Sequence, residues 1–135
     1  MFALHPRLAE DTLEVVNLPL CRVLLMNDRT IPWLILVPAR EGLVEMHHLT
    51  RADRATLMEE MALAAAVLEK RHAPHKINIG ALGNLVPQLH VHVLARYRED
   101  RAWPGPVWGA LGGAPYPPAE QQAALAGLRQ DFAHP

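Results

Sequence analysis

The chain has 135 residues, of which 50% are hydrophobic and 20% are charged, and its 13 Lys and Arg against 14 Asp and Glu give a formal net charge of −1. This composition excludes a disordered chain, and the balanced charge gives no reason to predict binding to nucleic acid or to an anionic membrane. The single cysteine, Cys21, excludes an internal disulfide, and together with the lack of a long apolar stretch it predicts a cytoplasmic protein.

The first predicted elements are two short strands, 21–26 and 33–38. Both are apolar and β-prone, and turn residues in the intervening segment NDRTIP predict a hairpin. A long helix is predicted over 49–74, because apolar residues recur there at helical spacing before Pro74. Thr50 is its expected N-cap.

The second half of the chain predicts another hairpin and a C-terminal helix. Residues 76–80 and 88–95 have strand character and are joined by a loop that contains glycine. Residues 103–118 hold too many prolines and glycines for regular structure, and a helix is expected over 118–132. The sequence therefore predicts a single α+β domain, residues 1–135, with an antiparallel sheet and helices on one side.

The strand over 88–95 has an unusual polar face. Side chains alternate along a strand, so Gln88, His90 and His92 point to one face while the apolar residues between them point to the other. Three interpretations are open from the residues alone: a solvated sheet face, a metal site that uses the two histidines, or a site for chemistry. The metal site needs one or two further ligands, and no partner motif is visible, so no metal or cofactor is predicted.

Residues 88–94, QLHVHVL, resemble the signature of the HIT (histidine triad) family, His-φ-His-φ-His-φ-φ with φ apolar, at six of seven positions. The upstream segments NIGALGNLVP and IPWLILVPAR resemble two further family motifs, and WPGP is similar to a Trp-Pro-rich tail in some members. The resemblance covers roughly residues 21–108. It implies an antiparallel sheet of about five strands with one long helix and a C-terminal helix, and a homodimer.

The resemblance also implies a reaction, the hydrolysis or transfer of a nucleotidyl group from a small nucleotide conjugate. His90 would attack the α-phosphorus and form a covalent nucleotidyl-histidine intermediate, with its other ring nitrogen held by the main-chain carbonyl of Gln88. His92 would donate to the phosphoryl oxygens and help the leaving group depart. Asn78 would support the loop or bind the phosphate, and the backbone amides of Gly83 and Asn84 would face it. These last three residues are equally compatible with a simple turn between two strands.

The sequence departs from the family pattern at three positions. Gln88 replaces the first histidine of the triad and cannot titrate, Leu85 replaces a hydroxyl residue, and Trp33 stands where the family often has a fourth histidine. These changes leave His90 and His92 intact but alter the residues around them. Two alternatives therefore stay open, a nucleotide-binding module with little or no turnover and a metal-binding domain.

The tryptophans of the proline-rich segment, Trp103 and Trp108, allow two interpretations. They either stack on a base or cover the site of a partner subunit, or they form an apolar tail that packs on the domain.

Overall fold

The computed structural model describes all residues 1–135 and shows one five-stranded sheet flanked by helices. The elements in chain order are α1 (Pro6–Asp11), β1 (Thr12–Asn17), β2 (Cys21–Met26), β3 (Trp33–Pro38), a short 3-10 helix (Met46–His48), α2 (Arg51–His72), β4 (Lys76–Gly80), β5 (Val91–Arg96) and α3 (Pro118–Ala133). The strand order is β1-β2-β3-β5-β4, and all neighbouring strands are antiparallel. The predicted α+β class with about five strands is confirmed.

Both predicted hairpins form. β2 and β3 have the predicted bounds, and β4 pairs with β5. The strand predicted over 88–95 instead starts at Val91, so that boundary was wrong. The reason lies in the preceding residues: the Leu89 N–H donates to the Leu43 carbonyl at 3.0 Å and not to a neighbouring strand.

The long helix α2 begins as predicted. The Thr50 hydroxyl accepts a hydrogen bond from the Asp53 N–H at 3.1 Å, which satisfies one of the unpaired amides of the first turn. The helix ends at Ala73, which adopts a left-handed conformation with φ 44°. No helix in the chain combines the length and the apolar character needed to cross a membrane.

The sheet has a different hydrophobic core on each face. On the first face, β5 and its neighbours pack against α2 and α3 through Leu34, Leu36, Val91, Val93, Leu57, Leu68 and Phe132, among others. On the second face, residues of the central strands meet α1 and the proline-rich segment through Trp33, Ile35, Leu94, Leu8 and Val107. The predicted arrangement of helices on one side therefore holds for the two longer helices, while α1 covers the other side.

This arrangement decides where the histidines lie. Ile35 and Gly80 are the cross-strand neighbours of His92, so its side chain points to the second face, away from α2. His90 and His92 are each only 6% exposed. The interpretation of this strand as having a solvated polar face was therefore wrong. The residues at the start of the chain, including α1, and the proline-rich segment over 103–118 cover that face.

A buried ion pair fixes the end of β5. The Arg96 guanidinium donates to both carboxylate oxygens of Asp100 at 2.8 and 3.0 Å, and the two side chains are 1% and 2% exposed. Arg96 also donates to the Asn78 side-chain oxygen and to the Gly105 carbonyl, each at 2.8 Å. The cluster thus joins β4, β5 and the proline-rich segment that follows them.

Candidate active site

His90 is oriented by the main chain two residues before it. Its Nδ1 lies 2.7 Å from the Gln88 carbonyl oxygen, which is the contact predicted for this pair. A carbonyl oxygen only accepts hydrogen bonds, so the neutral ring must carry its proton on Nδ1. The lone pair of His90 is therefore on Nε2.

His92 is held in the opposite tautomer. The indole N–H of Trp33 donates to Nδ1 of His92 at 2.9 Å, so the proton of the neutral His92 ring is on Nε2. Burial, and second the neighbouring His90, lower the pKa of His92 to about 4. The ring is consequently neutral near pH 7, and it presents an N–H donor beside the lone pair of His90. The two ring centroids are 4.9 Å apart.

The geometry gives Trp33 a definite role. From sequence it was only a departure from the family pattern, yet its register on β3 places the indole on the same face as His92. An indole nitrogen donates and never accepts, so it selects one tautomer of its partner where a histidine would allow two.

The two histidines line a cavity of about 600 Å³. Gly83, Asn84 and Leu85, from the loop between β4 and β5, lie on its wall, and Gly83 has φ +74°, a conformation that favours glycine. No amide N–H from Leu82 to Gln88 donates to another group of the chain. These amides are available to an anion.

Asn78 is not on this wall. Its side-chain oxygen accepts from Arg96 in the buried cluster, so the structure places it in a supporting position and not where it was predicted to bind substrate. The strand register explains the difference: Asn78 is paired with Leu94, whereas Gly80 is the residue opposite His92.

Trp108 closes the second face over His92 within its own chain. The two ring centroids are 5.3 Å apart, and Gly80 makes room for the indole, because a Cβ there would lie 2.8 Å from the Trp108 ring. Trp103 lies elsewhere, against His75 at 5.2 Å between ring centroids. Trp108 thus packs on its own domain and also lies on the cavity wall, so its stacking on a base stays a prediction.

The side chain of Gln88 does not reach the histidines by hydrogen bonds. Its oxygen accepts from the His5 N–H at 2.8 Å, and its amide nitrogen donates to the Ala3 carbonyl at 2.9 Å. The main-chain carbonyl of Gln88 therefore contacts His90, whereas its side chain forms hydrogen bonds with the first residues of the chain. Sequence reasoning missed both that segment and Arg7, which also lies on the cavity wall.

The cavity offers little to a metal ion. The structure contains no group of three or more His, Cys, Asp or Glu side chains arranged to hold one. In addition, Nδ1 of His90 and of His92 are both engaged in hydrogen bonds within the chain. Only the two Nε2 atoms remain, and that of His92 carries a proton.

Replacing Trp33 with phenylalanine tests the assignment of the His92 tautomer. Without the indole donor, the Nδ1-protonated form of His92 becomes accessible, and we expect the preference for the Nε2–H form to fall about fivefold, the scale of one net hydrogen bond. Nitrogen NMR of the imidazole should show a single Nε2–H form in the original protein and a mixture in Trp33→Phe. An unchanged spectrum in the variant would contradict the assigned role.

Comparison with known proteins agrees with the fold. The family model of the HIT domain matches residues 8–99. A histidine triad protein from Bradyrhizobium japonicum is 44% identical, with a TM-score of 0.94 and coverage of 97% of this chain and 98% of that one. One from Sinorhizobium meliloti is 48% identical, with a TM-score of 0.93 and coverage of 96% of each chain.

A third similar structure, the histidine triad protein from Marinobacter aquaeolei, is 43% identical, with a TM-score of 0.95 and coverage of 98% of this chain and 97% of that one. A comparison with proteins of curated function found no match. The domain model covers well over half of the sequence, and the structural likeness extends over nearly all of it. The chain belongs to the HIT (histidine triad) family.

Proposed function

We propose that the protein is a nucleotidyl hydrolase or transferase that cleaves small nucleotide conjugates at the α-phosphate. The observation that carries this proposal is the pair of Nδ1 contacts, to the Gln88 carbonyl and to the Trp33 indole, which imply an unprotonated Nε2 on His90 and an Nε2–H on His92. Nucleophilic substitution at phosphorus needs such a pair, a nucleophile with a lone pair and a donor for the negative charge on the phosphoryl oxygens.

The proposed reaction has two steps. Nε2 of His90 forms a bond to the α-phosphorus, and the bond to the leaving group breaks with its electron pair on the departing atom. Water or another acceptor then attacks the phosphorus, the P–N bond breaks, and its electron pair returns to His90. Water loses its proton to solvent, and a nucleoside monophosphate is released; with another acceptor, the product is its nucleotidyl conjugate.

The loop between β4 and β5 offers donors for the proposed phosphate contacts. The unpaired amides belong to Leu82, Gly83, Asn84, Leu85, Val86 and Gln88, and the first five of these residues line a cavity whose wall holds no carboxylate. Backbone amides bind phosphate without a side-chain hydroxyl, so they compensate for Leu85. Substrate binding by Gly83 and Asn84 is thus part of the proposal, whereas Asn78 acts only through Arg96.

The test of the proposal is a panel of dinucleoside polyphosphates, nucleoside phosphoramidates and nucleotide sugars, assayed without added metal. We expect turnover of at least one class, and rapid acid quenching should trap protein whose mass is increased by one nucleotidyl group. Peptide mapping should place that group on His90. Turnover without any covalent species, or with the group on another residue, would contradict the mechanism.

His92→Ala is expected to lower kcat about 10²–10³-fold, the usual loss for one donor that acts on transition-state charge. His92→Gln retains a side-chain N–H and should lose less. The measurement is steady-state kinetics on the best substrate of the panel. Equal losses in the two variants would show that the N–H donor is not what His92 supplies.

One observation favours a second candidate, a nucleotide-binding module with little turnover. Leu85 is 87% exposed at the mouth of the cavity, where the family pattern has a hydroxyl residue. Tight binding of nucleoside monophosphate without a trapped intermediate on any substrate would favour this module.

The homodimer implied by the family is also proposed, and sedimentation equilibrium tests it. Location in the cytoplasm stays a prediction from the cysteine content.

A further inference from the structure

The wall of the cavity beside His90 and His92 holds two arginines and no acidic side chain. Arg7 and Arg101 are the two cationic residues on its wall. The N–H groups of Arg101 already donate to Asp28, to Thr30 and to the carbonyls of Ala110 and Leu111 at 2.6–3.1 Å. Arg101 is therefore committed to holding the proline-rich segment in place.

Arg7 is the cation that remains available. Its only side-chain hydrogen bond runs from Nε to Asp11 at 2.9 Å, and its side chain is 61% exposed. The two terminal nitrogens of its guanidinium group have no partner in the chain. A guanidinium group with two such nitrogens matches the geometry of a phosphate, to which it can donate two parallel hydrogen bonds.

Gln88 holds Arg7 at this place. The Gln88 side chain donates to the Ala3 carbonyl and accepts from the His5 N–H; these two hydrogen bonds, named here the Gln88 clamp, fix the segment that precedes α1. The ring of His5 then accepts a hydrogen bond from the Arg7 N–H at 3.0 Å. The residue that replaces the first histidine of the triad thus links the site to the segment that carries Arg7.

The state of His92 restricts the leaving group. A neutral ring whose Nδ1 accepts from Trp33 can donate a hydrogen bond through Nε2 but has no acidic proton to give away. Gln88 cannot supply a proton, and no carboxyl group lies on the cavity wall. An amine has to be protonated to leave, whereas a phosphate chain departs as a stable anion.

We propose that Arg7, positioned by the Gln88 clamp, binds a negatively charged leaving group, so that the preferred substrates are nucleotide conjugates in which a phosphate chain departs from the α-phosphate. This inference rests on the proposed function and specifies its substrate class. It assigns Gln88 the role of a positioning residue and gives its side chain no part in proton transfer.

The first experiment compares the protein with Arg7→Gln and with Arg98→Gln, which removes another exposed positive charge that is not on the cavity wall. The substrates are a dinucleoside polyphosphate and a phosphoramidate of the same nucleoside. We expect Arg7→Gln to raise KM for the polyphosphate about 10- to 100-fold, the scale of charge-assisted hydrogen bonds, and to change kcat/KM for the phosphoramidate less than about threefold. Arg98→Gln should alter neither. Equal losses on both substrates would overturn the proposal.

An equilibrium experiment separates this proposal from the proposed catalysis. In the His90→Ala background, calorimetry measures binding of a nucleoside triphosphate and of the matching monophosphate before and after Arg7→Gln. We expect the triphosphate to lose at least about tenfold in affinity and the monophosphate to lose much less. This result would support the role of Arg7 even if no covalent intermediate were ever trapped. Equal weakening of both ligands would place Arg7 at the α-phosphate and overturn the proposal.

The clamp is tested with Gln88→Leu, which keeps the main-chain carbonyl that contacts His90. The variant removes both the acceptor for the His5 N–H and the donor to the Ala3 carbonyl, so we expect the His5 amide to lose its protection from hydrogen exchange. KM for the polyphosphate should rise as in Arg7→Gln while kcat is largely kept, and the double variant should be little worse than either single one. Additive losses, or an unchanged His5 exchange rate, would show that Gln88 does not act through Arg7.

Discussion

Replacing His90 with alanine is expected to lower turnover by about 10⁴-fold or more, because loss of a covalent nucleophile removes the reaction path itself. No other side chain on the cavity wall can replace His90 as the nucleophile. The lone pair of His92 is on Nδ1, where it accepts a hydrogen bond from Trp33. Nucleoside monophosphate binding should survive within about tenfold, since the backbone amides of the loop between β4 and β5 are unchanged.

The matched control is His48→Ala, which removes an exposed histidine that is not on the wall of this cavity. Single-turnover kinetics on the best substrate and calorimetry with the monophosphate are the two measurements. If His90→Ala retained most of its rate, the covalent mechanism would fail and the nucleotide-binding module would become the preferred function. Loss of both turnover and binding would indicate that the ring mainly supports the cavity.

Asp100→Ala is expected to destabilise the fold by about 3–5 kcal/mol, because it leaves the Arg96 charge buried without its partner. The side chains of Arg96 and Asp100 are only 1% and 2% exposed, so the Arg96 charge is largely shielded from solvent in the folded state. Asp100 also accepts from the backbone amides of Tyr97, Ala102 and Trp103. Chemical denaturation measures the loss.

Asp131→Ala is the control for this variant, since it breaks an ion pair with Arg71 in which both side chains are about one third exposed, 32% and 33%. It should cost no more than about 1 kcal/mol. A similar loss in the two variants would mean that burial does not set the strength of the Arg96 pair.

The same ion pair makes stability depend on acid pH. The Arg96 guanidinium holds the pKa of Asp100 well below its ordinary value, and three backbone amides act in the same direction against the opposing effect of burial. A carboxyl group whose pKa is lower in the folded state stabilises the protein above its unfolded pKa, about 3.9. This contribution should be complete above about pH 5, decline as the pH falls further, and be missing in Asp100→Ala.

Much of the fold was predictable because its signals are local. The apolar runs of β2 and β3 stand between turn residues, and the Thr50 cap of α2 lies three residues from the amide it satisfies. The period-two alternation around β5 likewise placed His90 and His92 on one face and the core residues on the other. Periodicity and capping depend on residues a few positions apart, so they can be read from the sequence.

The chemistry of the site was decided by contacts between distant residues. Trp33 and His92 are 59 positions apart, and the sequence showed only that a usual histidine was missing there. The Gln88 clamp joins residues 83 and 85 positions apart, and no local pattern of the first residues pointed to the cavity. A sequence names the groups that can donate or accept hydrogen bonds. Only the register of the sheet and the packing on its second face determine which donor meets which acceptor, and so which nitrogen of each histidine carries the proton.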